Sequence, residues 1–112
     1  MKVVDYHEVP LEEVAMDDAK NVKVRWLISD KDDAKIFAMR MFEIEQGGYT
    51  SYHTHDWEHE VFVLEGSGEV KIGDKTYPIK KGSVVFIDPG IQHNFKNLGD
   101  NTLKILCLIP YK

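Results

Sequence analysis

The sequence predicts an all-β chain, a sandwich or barrel of about ten short strands. Three observations carry that expectation. Short apolar or alternating runs follow one another from Val22 to Pro110. Glycine-, proline- and aspartate-bearing turn signals separate them, among them Gln46-Gly47-Gly48, Gly73-Asp74-Lys75 and Asp88-Pro89-Gly90. No repeat, low-complexity run or linker interrupts the pattern.

Taken in order, Met1 to Pro10 reads as a short edge strand entering a turn. Leu11 to Asn21 is acidic and has the makings of one helical turn. Val22 to Ser29 is strand-like, and Asp30 to Lys35 is a charged turn. Ile36 to Glu45 is a long strand broken by Gln46-Gly47-Gly48. Tyr49 to His55 carries a histidine pair. His59 to Glu65 is a strand, and Glu65-Gly66-Ser67-Gly68 turns into Glu69 to Ile72. After the Gly73-Asp74-Lys75 hairpin come Thr76 to Ile79 and, beyond Lys81-Gly82, the apolar run Ser83 to Ile87. Gln92 to Asn97 and Thr102 to Pro110 are the last two strands, joined by Leu98-Gly99-Asp100-Asn101.

A chain of 112 residues, 43% hydrophobic and 29% charged, suits one small domain over residues 1–112. A barrel of this size leaves strand edges that dimerisation often covers. The net charge of -5, with acids and bases interspersed, argues against a nucleic-acid or anionic-membrane surface. Cys107 is the only cysteine, so no internal disulfide can form, and a reducing compartment is expected. With no apolar leader and no bilayer-spanning run, the expected location is cytoplasmic.

Three of the five histidines fall within His53-Thr54-His55-Asp56-Trp57-Glu58-His59. Residues two apart on a strand leave the same face, and His53, His55 and His59 share parity. Converging neutral imidazoles suit Zn, Cu, Fe or Ni. His93 lies in a second segment just after a turn. His7 stands apart from both and reads as a surface residue.

These segments resemble the two motifs of the cupin superfamily. The first runs glycine, five residues, His-x-His, three or four residues, glutamate, six residues, glycine. Gly47, His53 and His55 fit it, with Gly66 closing the stretch 47–66. Counting back from Gly66 lands on His59 where the motif has its glutamate, while Glu60 fits only the looser spacing. The second motif runs over 82–97, where Gly82, Gly90, His93 and Asn97 fit and Pro89 sits one position late. Trp57-Glu58-His59-Glu60 and Leu106-Cys107-Leu108-Ile109-Pro110 resemble a subgroup of small cupins with four histidine ligands. The resemblance implies a double-stranded β-helix, or jelly-roll barrel, and a homodimer. It also implies a manganese or related divalent site, with His53, His55, His59 and His93 as the ligands.

Four neutral ligands would leave the metal charge uncompensated, giving a strong Lewis acid that favours an anionic further ligand. Iron, nickel, zinc and copper remain alternatives to manganese, since the Irving–Williams order favours the later metals. The commoner set would replace His59 by Glu60, but strand parity sends Glu60 to the opposite face. Glu58 and Glu60 then read as carboxylates supporting the ligands or lying on the surface. Arg40 in an otherwise apolar strand either faces outward or anchors an anionic substrate. Trp57 reads as a pocket rim or dimer contact, Phe95 as pocket lining or core, and Cys107 as core or a redox-sensitive thiol.

The leading functional expectation is a metal-dependent oxidoreductase of dioxygenase type acting on a small organic molecule. The rival from another class is a non-catalytic module that binds a small molecule or anion. A sugar isomerase or epimerase needs a proton-transfer group, for which only tyrosines such as Tyr49 and Tyr52 stand nearby. A purely structural metal is disfavoured, because such sites are usually closed and rich in cysteine.

Overall fold

The computed structural model describes residues 1–14 and 16–111. It is all-β, as the spacing of turns predicts. The strands are β1 (Glu12–Glu13), β2 (Lys20–Ile28), β3 (Phe37–Tyr49), β4 (His59–Glu65), β5 (Ser67–Ile72), β6 (Lys75–Lys80), β7 (Val84–Ile87), β8 (His93–Asn97) and β9 (Leu103–Pro110). Their order in one curled sheet is β6-β5-β8-β3-β9-β4-β7, with β2 laid against β3 and β1 against β2. Every pairing is antiparallel, and the non-sequential order is that of a jelly roll rather than a meander. Among the described residues no helix is long and apolar enough to cross a membrane.

Alternation along the strands builds the interior. His59, Val61 and Val63 of β4 are buried while Glu60 and Phe62 face out. Leu103, Ile105 and Cys107 of β9 do the same. They meet Ile44, Val70, Ile87 and Phe95 in one continuous apolar core. Asn97 is buried within it and fully engaged. Its amide donates to the carbonyls of Ile44 and Asn101, both at 2.8 Å, and its Oδ1 accepts from the Gly99 amide. That accounts physically for an asparagine at the end of the second histidine segment: it ties β8 to β3 and to the following turn.

Three stretches depart from expectation. Met1 to Pro10 forms no strand. Asp5 accepts from the His7 amide at 2.8 Å and the Asp5 amide donates to the Glu8 carboxylate at 3.1 Å, so a capping box winds Tyr6–Glu8 into a 3-10 turn. The segment Leu11 to Asn21, in which Ala15 lies outside the described residues, contributes β1 instead of a helical turn, with Glu12 opposite Val24. Finally, Gln46-Gly47-Gly48 does not end β3. Gly47 takes φ +76°, and the register against β2 slips between Val22↔Ile44 and Lys20↔Tyr49. The glycines thus form a bulge that bends the strand and delivers the chain to the histidine loop.

The two ends of the sheet path differ. β6 carries Pro78 at its middle and lysines at both ends. At the other end Val84 and Phe86 of β7 lie exposed beside Phe62 of β4.

Candidate metal centre

Four histidine rings come together at one mouth of the barrel. His59 and His93 open β4 and β8, and His53 and His55 lie in the loop between β3 and β4. The loop is pinned to the barrel at several points. His53 and His93 exchange both backbone hydrogen bonds, at 3.2 and 3.0 Å, the Gly90 amide donates to the His55 carbonyl, and the Thr50 amide to that of Phe95. Ring centroids are 5.1 Å apart for His53–His55, His53–His93 and His55–His93, 4.2 Å for His55–His59 and 4.9 Å for His59–His93.

The backbone orients three of these rings. Nδ1 of His53 lies 2.8 Å from the Ser51 carbonyl, that of His93 is 2.9 Å from Ile91, and that of His55 is 3.3 Å from Trp57. A carbonyl can only accept, so each Nδ1 carries the proton and each Nε2 keeps a lone pair. Nε2 of His55 and of His93 is buried without a hydrogen-bond partner. Ligand atoms of His53, His55 and His93 lie within 4.8 Å of one another. Buried acceptors converging with nothing to accept from fit a divalent cation.

His59 is 6% exposed and packs in the same ring cluster, but it is not one of that mutually close trio. Its Nε2 stands 3.5 Å from Arg40 Nη2, and its Nδ1 is buried without a partner. Burial, then His55 and the Arg40 charge, push its pKa down to about 2. Burial and the neighbouring rings also lower His55. In His93 burial outweighs its bond to Ile91. His55, His59 and His93 are therefore neutral at neutral pH, the state that ligates. Depressed imidazole pKa values mean that, below about pH 6.5, the unfolded chain binds more protons than the folded one. The metal-free protein should accordingly hold its thermal midpoint between pH 7 and 8 and lose it as pH falls below 6.5. A midpoint flat down to pH 5 would contradict this.

The rings line one side of a pocket of about 500 Å³. Its wall is set by a cross-strand row: Trp26 of β2 pairs with Arg40 of β3, which pairs with Cys107 of β9. Arg40 therefore faces inward rather than outward, and Cys107 accepts from Arg40 Nη2 at 3.2 Å. Cys107 is 2% exposed, a core residue, and burial pushes its thiol pKa up. That is the opposite of what a reactive thiol needs. Phe95 serves both of its expected roles, packing in the core and lining the pocket. Trp57 stacks flat on His55, with centroids 4.5 Å apart, and forms the rim.

Glu60 faces away from the histidines, opposite Phe86 and Leu108, and lines an outer cleft with Glu58. The supporting-carboxylate role is thereby corrected to the surface one; the alternating pleat puts His59 inside and Glu60 outside. His7 is exposed and held by Asp5. Trp26 and Phe42 are pocket residues that the sequence reading did not single out. Phe42 shares Arg40's face by parity, a usable signal, whereas Trp26 requires the β2–β3 register.

Comparison with known proteins agrees with this fold. Residues 40–109 match the model of the cupin domain. The polyketide cyclase RemF from Streptomyces resistomycificus superposes with a TM-score of 0.93 at 35% identity, covering 100% of this chain and 80% of that one. The oxalate-binding protein of Thermotoga maritima is 36% identical over 77 residues, 68% of this chain and 62% of that protein. An L-ectoine synthase from Vibrio campbellii is 30% identical over 86 residues, 76% of this chain and 66% of the synthase. The chain spans about half to two thirds of the length of the curated relatives it matches.

Proposed function

The chain belongs to the cupin family, and from that premise we propose that it is a metal-dependent enzyme that activates an oxygen-bearing small molecule. The observation that carries this is the convergence of anchored, partnerless imidazole nitrogens on a mostly apolar pocket. His53, His55 and His93 would hold the ion and His59 would complete the set. A bound divalent metal supplies Lewis acidity toward a carbonyl or enolate oxygen. The protein's own part is positional. Backbone carbonyls of Ser51, Ile91 and Trp57 hold the rings, Trp26, Phe42 and Phe95 exclude water, and Trp57 closes the rim.

The likeness to a polyketide cyclase along the whole chain supports carbonyl chemistry of this kind. It leaves the dioxygenase expectation without a specific support beyond the ligand set. A second reading, a module that binds a small carboxylate without turnover, is favoured by the likeness to an oxalate-binding protein. Manganese, a homodimer and a cytoplasmic location belong to the same proposal.

Two measurements test it. Metal analysis of variants should show His59→Ala sharply depleted and Glu60→Ala near wild type; the reverse would overturn the ligand set. Assays of the loaded protein with small polyketones and with dioxygen separate the readings. Cyclised product without oxygen uptake supports the enzyme proposed. Uptake that tracks metal occupancy supports the oxygenase, and tight binding without turnover supports the module.

A further inference from the structure

The chain has two arginines, and they are treated differently. Arg25 is paired: Nε donates to Glu43 at 3.0 Å and Nη1 to the Val9 carbonyl at 2.6 Å. Arg40 has no carboxylate within ion-pairing range among the described residues. Its Nη2 meets only the Cys107 sulfur at 3.2 Å and His59 Nε2 at 3.5 Å, and its Nε is buried without a partner. Trp26 and Phe42 flank the guanidinium, with ring centroids 5.4 and 4.9 Å away. The carboxylates that do line this pocket, Glu12 and Glu13, sit exposed on β1.

A guanidinium stays charged at any working pH, and a sulfur is a weak acceptor. Aromatic faces stabilise a cation but accept no strong hydrogen bond. An interior cation left in this state is costly unless something else completes it. Cation–π packing holds its plane, and its other Nη makes no hydrogen bond among the described residues, leaving N–H donors for an anion's oxygen in the pocket.

We propose that Arg40 is the anion-binding group of this pocket, and that its ligand is a small organic anion with oxygens on adjacent or next-adjacent carbons, such as a dicarboxylate, a 2-oxo acid or a 1,3-diketonate. One oxygen is directed to the histidine cluster, and the next lies on the Arg40 guanidinium beside His59. This inference rests on the metal-site reading above and narrows it to a substrate class. It makes Arg40 a specificity-determining residue, and it accounts for an unpaired interior cation next to a site that is itself cationic once loaded.

The test uses the full chain as isolated with its metal, with oxalate and acetylacetonate as probes, followed by calorimetry and by quenching of Trp26 and Trp57 fluorescence. Metal content is measured in parallel. Arg40→Gln should weaken both probes roughly ten- to hundredfold at unchanged metal content. Arg40→Lys keeps the charge but not the flat guanidinium seated between Trp26 and Phe42, so it should fall in between, and it decides the matter if Arg40→Gln does not fold. Affinities within about twofold of wild type in both variants, at equal metal content, would overturn the proposal. A protein that takes up no metal yet binds oxalate only with Arg40 intact would sink the metal reading and support this one.

Discussion

Replacing His93 with alanine should produce a folded barrel that retains almost no divalent metal, against about one ion per chain in the parent. His93 is the most enclosed of the mutually close trio, 2% exposed, and its Nδ1 bond to the Ile91 carbonyl aims Nε2 inward. Its loss removes one converging lone pair and opens a space beside two others. The consequence extends to stability. A metal present at a thousandfold over its dissociation constant adds about 4.1 kcal/mol to the folded state. Thermal melts with and without added metal should thus separate widely in the parent and nearly coincide in the variant. The circular dichroism of the variant should remain that of a β-sheet, because the backbone pairing of His53 with His93 does not involve the ring. Retention of a full complement of metal would show that the ion, if present, is held elsewhere.

Gly68→Ala should be among the most damaging single-methyl additions in the chain. Gly68 pairs with Asn97 of β8 and Ile79 of β6. A Cβ there would run into the Lys96 carbonyl oxygen and lie 3.2 Å from Leu103 Cδ2, a side chain that is fully buried. The obstacle is backbone, so it cannot rotate aside; β5 and β8 would have to part. A loss of roughly 3 kcal/mol or more is expected, large for a surface-to-core strand position. Gly47→Ala provides the contrast. Nothing lies near its Cβ position, and only its positive φ opposes a side chain, so its cost should be about 1 kcal/mol. Denaturant unfolding of the two variants side by side checks the order, and equal losses would refute this account.

What the sequence disclosed about the molecule depended on how local the governing interactions are. The strands from β4 to β9 are short alternating runs between strong turn formers, and each lies within a residue or two of its expected span. The histidine loop was legible because parity and turn placement together put three rings on one side. The N-terminal segment was not, since the reciprocal Asp5–Glu8 cap competes with an extended backbone whose apolar residues are interrupted by Asp5, His7 and Glu8. Nor was the length of β3, because a glycine pair reads as a stop unless the partner strand accommodates a slipped register. Arg40 had two open destinations on sequence alone. Its direction is decided by the row through Trp26 and Cys107, a long-range fact that no local pattern encodes. Tautomers set by carbonyls of the main chain left no trace in side-chain identity.

The unequal rims of the sheet bear on how such barrels can gather. A visiting backbone that tried to extend β6 would meet a ladder with one N–H deleted at Pro78 and ammonium groups at Lys75 and Lys80. At β7 the same visitor finds four consecutive amide-bearing residues and apolar neighbours. Growth by backbone extension is thus blocked on one flank and open on the other. Two copies can satisfy each other through β7, and a closed pair of that kind uses up this open flank in both.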